Sequence, residues 1–272
     1  MPHFRMTLAY DGTDFAGSQI QPNQRTVQGE LEGALQEIAA IPTRAIFAGR
    51  TDRGVHALGQ VVAMELPAWS ASASDLLRAL NTRLPGDLAA IDAAPCGESF
   101  NPRFEAVWRE YRYWIALGVF SPFLGRYAWN RRAELDADAV RAGAQRLVGT
   151  HDFASFAGGG EGVPWSRRAT KPRGTGRTIF RCDCREVQSR VGPGSDESAR
   201  VLEVRVAADG FLPHMVRNIV GALLDVGQGR RDPEWINELL AERDRRLGPA
   251  MAPAHGLTLT RVGYSGDVLD ED

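Results

Sequence analysis

The chain has 272 residues, 43% of them hydrophobic, with 32 basic against 34 acidic side chains and a formal net charge of −2. That content can bury a core in one large domain or two modest ones, and no uncharged apolar run approaches the roughly 18 residues of a membrane span, so a cytoplasmic protein is expected. The near-neutral balance argues against a uniformly basic nucleic-acid binder, and three cysteines with five scattered histidines match no metal-site spacing, so no metal is expected.

Residues 4–10 read as a strand ahead of the turn Asp11-Gly12. Thr26 offers an N-cap to a helix on which Val27, Leu31, Leu35 and Ile38 share one face. Residues 45–48 and 60–66 read as strands around a glycine-rich loop. Residues 74–83 read as a helix with Leu76, Leu77 and Leu80 inward, stopped by Pro85-Gly86, and 88–93 as a strand. The order is βαββαβ, the ferredoxin-like arrangement in which two helices cover one face of a four-stranded antiparallel sheet.

The second half repeats that order, with strand 108–116, helix 136–148, strands 178–187 and 201–208, helix 213–226 and closing strand 257–264; an extra helix at 233–243 interrupts it. The expected fold class is therefore α+β: two ferredoxin-like domains, residues 1–103 and 104–272, with antiparallel sheets joined edge to edge. The charge is segregated within the second half. Residues 161–181 hold Arg167, Arg168, Lys171, Arg173, Arg177 and Arg181 against Glu161, a net +5 inside a basic insertion near 158–181. Such a segment suits phosphate, or else is a solvated loop.

The most informative stretch is the loop Gly49-Arg50-Thr51-Asp52-Arg53-Gly54-Val55-His56-Ala57-Leu58-Gly59, in which a carboxylate sits between two arginines and glycines permit tight bending. Taken alone, it reads either as a surface turn in which Asp52 caps the backbone or as a catalytic loop. Tyr111 reads either as one of a strand-face pair with Tyr113 or as a stacking residue, and Arg217 as a helix-surface arginine or a carboxylate partner.

Ala48 to Asp52, Gly54 to Ala57 and Gly59-Gln60-Val61 together resemble the active-site loop of the tRNA pseudouridine synthase A family. The likeness extends upstream to Tyr10-Asp11-Gly12, Gly17, Gln19 and Arg25-Thr26-Val27-Gln28. Downstream it includes Arg109, Tyr111, Arg112 and Tyr113, Gly149-Thr150-His151-Asp152-Phe153, Gly210-Phe211-Leu212, His214-Met215-Val216-Arg217-Asn218 and Ala252-Pro253-Ala254. Ser18 stands where the family usually has tryptophan, and Pro213 where it usually has a polar residue.

The resemblance implies the pseudouridine synthase fold, a homodimer, and a cofactor-free isomerase acting on uridines at positions 38 to 40 of the tRNA anticodon arm. It implies Asp52 as the catalytic carboxylate, Tyr111 as the substrate-binding tyrosine, Arg217 as the partner of the aspartate, and Arg50 as the residue filling the gap left by a flipped base. Arg167, Arg168, Arg173 and Arg177 are the candidate tRNA contacts from the basic insertion. The competing expectation is a non-catalytic RNA-binding protein built from two ferredoxin-like modules. It lacks the basic-aromatic strand signature of such modules.

Overall fold

A computed structural model describes residues 2–158 and 174–269 of the chain. In chain order the elements of the first half are β1 (His3–Tyr10), α1 (Val27–Ala39), β2 (Ile46–Phe47), β3 (His56–Glu65), α2 (Ala73–Asn81) and β4 (Leu88–Pro95). Those of the second half are β5 (Trp108–Leu117), β6 (Trp129–Arg131), α3 (Ala137–Gln145), β7 (Gly149–Asp152), β8 (Gly176–Arg190), β9 (Ser198–Ala208), α4 (Met215–Gly227), α5 (Trp235–Glu242) and β10 (Leu257–Gly263). The class is α+β, with mostly antiparallel strand pairing. The described residues fall into two compact units, Met1–Glu110 with Thr258–Asp272, and Tyr111–Leu257.

In the first unit β1 lies between β4 and β3, antiparallel to both. Alternation along β1 sends Phe4, Met6, Leu8 and Tyr10 inward, and Leu31, Leu35, Leu76 and Leu80 of the two helices are fully buried. Each helix starts where side-chain chemistry satisfies its first amides. Thr26 accepts from Gly29 N ahead of α1, and Ser72 forms a reciprocal capping box with Asp75 ahead of α2. Ala40, at φ 57°, ends α1 in the left-handed conformation.

The outer edge of β3 is shared. β2 covers Val62 and Ala63 in antiparallel pairing, and β10 covers His56 and Ala57 in parallel pairing. β2 is shorter than the expected strand 45–48 because Ala48 already turns into the glycine-rich loop. The closing strand was expected within the C-terminal copy, yet Thr258 onward groups with the first unit. Val107 N donates to Gly263 O at 2.8 Å and the Thr260 hydroxyl to Glu110 O at 3.1 Å, tying β10 there. Gly59 permits this approach, since a Cβ on it would lie 2.2 Å from Thr260 O.

In the second unit β9 lies between β5 and β8, and β7 pairs with the far edge of β8. Helices α3 and α4 pack on each other, and α3 packs on β8, where Cys182 and Cys184 are buried. Burial pushes the Cys184 thiol up to about 11, so it is a small apolar core group rather than a nucleophile. Away from this layer Ala116, Ala128 and Val201, with Trp114, Leu124 and Val187, form a small separate cluster. The helix expected from residue 213 starts at Met215, because His214 takes a left-handed backbone at φ 59°. No described helix is long and apolar enough to cross a membrane.

Candidate active site

The loop between β2 and β3 is held almost entirely by groups that flank Asp52. Ala48 N donates to Val61 O at 2.8 Å, closing the last rung of the strands. The fully buried Gln60 amide then grips Gly49 from both sides, Nε2 donating to its carbonyl at 2.9 Å and Oε1 accepting from its N–H at 3.3 Å. A side-chain amide here does the work of a neighbouring strand, satisfying backbone groups that leave the ladder.

Thr51 is held at three points. Its N–H donates to Ser18 Oγ at 2.9 Å, its carbonyl accepts from Ser18 N at 3.0 Å, and its hydroxyl lies 2.8 Å from Tyr10 OH. Burial pushes the Tyr10 phenol up to about 12, which keeps it a neutral hydrogen-bonding hydroxyl. On the other side of Asp52, Val55 N donates to the Asp52 carbonyl at 3.1 Å across a turn in which Gly54 has φ 79°. Asp52 is thus half-buried between Thr51, held at three points, and the turn closed by Val55, while Arg50 and Arg53 are exposed.

Two glycines of the segment after β1 let it press against this loop. A Cβ on Gly12 would lie 2.0 Å from Val55 O, and Gly17, at φ 111°, passes the Thr51 carbonyl. Gly12 N also donates to His56 Nδ1 at 2.9 Å. Below the loop Arg109 acts as a buttress: one nitrogen, Nη2, donates to Ala48 O at 2.9 Å and to Arg103 O at 2.8 Å.

Tyr10, Gln60 and Arg109 are legible in the sequence only as motif members, with no hint of how they hold the loop. The one signal was Ser18, a small hydroxyl where tryptophan is usual; it is fully buried and its oxygen is an acceptor for Thr51. Replacing Ser18 by Ala leaves the buried Thr51 N–H without that acceptor, an expected cost of about 1–3 kcal/mol. A urea-unfolding midpoint unchanged from the parent chain would show that the Thr51 N–H finds another partner.

The remaining candidate side chains belong to the second unit. Tyr111 is 7% exposed and meets Phe211 edge to face, with ring centroids 5.1 Å apart. Tyr113 is fully buried, its hydroxyl donating to Pro253 O at 2.9 Å. Arg217, in the first turn of α4, donates through Nε to Ala252 O at 2.7 Å, while Ala252 N donates back to Arg217 O at 3.1 Å. Motif residues far apart in sequence therefore meet inside this unit: Tyr113 and Arg217 both hold the segment Ala252-Pro253.

Of the basic insertion, Arg167, Arg168 and Arg173 lie outside the described residues. Arg177 is 8% exposed and donates to the carbonyls of Gly174 at 3.2 Å and Gly176 at 2.5 Å. Through Nη1 it closes a turn at the start of β8. Among the described residues no group of three or more His, Cys, Asp or Glu could hold a metal ion.

An α+β frame with a carboxylate on a loop held by buried side chains narrows the choice of family, and comparison with known proteins identifies it. The sequence pattern of the family described as tRNA pseudouridine synthase matches residues 6–105 and 144–265. A tRNA pseudouridine synthase A of Chloroflexus aurantiacus is 43% identical over 260 residues, covering 95% of this chain and 87% of the relative. One of Thermosipho africanus is 42% identical over 262 residues, covering 96% and 99%, and one of Maridesulfovibrio salexigens is 39% identical over 266 residues, covering 97% and 91%. The chain belongs to the tRNA pseudouridine synthase A family, isomerases that act on uridine in tRNA.

Proposed function

We propose that this chain converts uridine to pseudouridine at positions 38 to 40 of the tRNA anticodon arm, working as a cytoplasmic homodimer of two ferredoxin-like domains per chain. Asp52 is the catalytic carboxylate in this reading, and the target nucleotide is flipped out of its stem to reach it. The reading rests on one observation above the others. Thr51 is held by buried groups ahead of Asp52 and the Asp52 carbonyl by the Val55 amide behind it, so the backbone that carries the carboxylate is tied on both sides.

The chemistry is balanced within the substrate. The bond from N1 of the base to C1′ of the sugar breaks, the base turns, C5 bonds to C1′, and the proton at C5 moves to N1, with no oxidation and no change of mass. Attack on C1′, attack on C6 and removal of a sugar proton all use an ionised carboxylate within reach of the flipped nucleotide. Tyr111 stacks on the base and takes part in moving the C5 proton, and Arg217 steadies the carboxylate through its planar guanidinium. Arg50, exposed beside Asp52, fills the space left in the stem.

Arg167, Arg168 and Arg173 are assigned to the tRNA backbone, whose contact offsets the few kcal/mol that flipping costs. Arg177 is left out of that set because its guanidinium is engaged by Gly174 and Gly176. The strand order β4-β1-β3 with β2 on the far edge of β3 supports the ferredoxin-like reading of the first unit.

Incubating the protein with an unmodified tRNA transcript and no added cofactor, then labelling pseudouridine with a carbodiimide, tests the activity; no labelled product would remove it. Replacing Tyr111 by Phe keeps the ring and its edge contact to Phe211 but removes the hydroxyl. Single-turnover conversion is expected to fall by about 10²-fold or more, with tRNA affinity retained. An undiminished rate would restrict Tyr111 to packing.

A further inference from the structure

The most exposed large hydrophobic side chain among the described residues is Phe104, at 79%. It does not sit on a loose segment. The turn that carries it is pinned on every side: Asn101 Oδ1 accepts from Arg103 N at 3.0 Å and from Phe104 N at 3.3 Å, and Glu105 Oε1 accepts from Asn101 N at 2.7 Å. Tyr264, packed on Phe100, donates its hydroxyl to Pro102 O at 3.1 Å. Arg109 Nη2 holds Arg103 O, and that same nitrogen holds Ala48 O where the Asp52 loop begins. An apolar ring is therefore carried into solvent by a hydrogen-bonded turn, at the rim where Arg109 ties that turn to the start of the Asp52 loop, with the exposed Arg103 guanidinium 5.7 Å from its centroid.

An aromatic ring presented to water on a hydrogen-bonded turn needs no backbone ordering when it is covered, and the face away from the Arg103 guanidinium suits another planar ring. The molecule that must approach this rim is RNA, and proteins hold unpaired bases by stacking them on exposed aromatics, with arginine nearby for the adjoining phosphate. We infer that Phe104, with Arg103, is a stacking platform for a tRNA base neighbouring the target uridine. This inference rests on the reading of residues 49–59 as the active-site loop. In isomerising a flipped uridine, the strand on either side must be held open, and a base parked on Phe104 keeps one neighbour from restacking into the gap.

The test is the dissociation constant for unmodified tRNA, measured for the parent chain and for Phe104→Ala, Phe104→Leu and Phe104→Trp. A side chain this exposed can be changed without disturbing the core, and circular dichroism checks that it has been. Phe104→Ala is expected to weaken binding by about 5- to 100-fold, Phe104→Trp to hold parent affinity, and Phe104→Leu to stay near Ala, because leucine restores apolar area but no stacking face. An abasic nucleotide beside the target uridine should weaken the parent chain on one flank only, and should weaken Phe104→Ala no further.

Parent affinity in Phe104→Ala, full rescue by Phe104→Leu, or additive losses from the abasic nucleotide and the Ala change would each overturn the inference. So would a change of particle mass by light scattering in Phe104→Ala, which would make the ring a protein contact. Since binding is read without turnover, the two failures are distinguishable: an Asp52→Asn protein with parent activity would sink the catalytic assignment, whereas parent tRNA affinity in Phe104→Ala would sink the stacking platform alone.

Discussion

Replacing Asp52 by Asn is expected to abolish pseudouridine formation, by about 10³-fold or more, while the protein folds and binds tRNA much as before. Asparagine matches aspartate in size and keeps one acceptor oxygen, so the change removes the charge rather than the shape. The bonds that shape the loop run through Ala48, Gly49, Thr51 and the Asp52 carbonyl, and the substitution leaves all of these in place. A loss of activity with intact binding is therefore a loss of chemistry. Near-parent turnover would make residues 49–59 a structural loop and place the reacting group elsewhere in the chain.

Replacing Gly12 by Ala is expected to reach the same carboxylate from behind. The added Cβ would lie 2.0 Å from Val55 O and 2.5 Å from Val55 C, and both are backbone atoms that no side-chain rotation can move aside. Either the segment carrying Gly12 backs away, losing its hydrogen bond to His56 Nδ1, or Val55 moves and carries with it the amide that pins the Asp52 carbonyl. Overpacking of this kind costs about 1–3 kcal/mol, and a displacement on the order of 1 Å at a reacting group costs about 10²-fold in rate. Thermal melting together with single-turnover conversion reads both effects. A variant with parent melting temperature and parent rate would show that the loop and the Gly12 segment are not in contact in solution.

The elements read most securely from sequence are those whose signal is local. β1 shows its alternation, α1 its Thr26 cap and apolar stripe, and α2 its inward Leu76 and Leu80; each is decided by residues within a dozen positions. β6 and β7 were not legible, because three or four mostly polar residues such as Gly149-Thr150-His151-Asp152 carry no period and become strands only through the longer strand beside them. The grouping of β10 with the first unit depends on a pairing between His56 and Thr258, about which neither stretch says anything on its own.

The same division runs through the site. Asp52 could be found from its loop motif, whereas Ser18, Tyr10 and Gln60 act through contacts from 11 to 50 positions away and look, in sequence, like ordinary polar residues. Arg177 shows a detail that the run of positive charge does not carry: it is buried, and its Nη1 donates to the carbonyls of its own turn. Charge in a sequence window reports composition, and only packing decides which guanidinium meets a partner.

The most direct test of the proposed activity is position-resolved mapping of pseudouridine on tRNA transcripts in which the uridines at 38, 39 and 40 are kept or replaced by cytidine one at a time. Carbodiimide stops are expected only at those positions that retain uridine, and none anywhere with the Asp52→Asn protein. Stops outside the anticodon arm, or stops that persist when all three uridines are gone, would contradict the assignment.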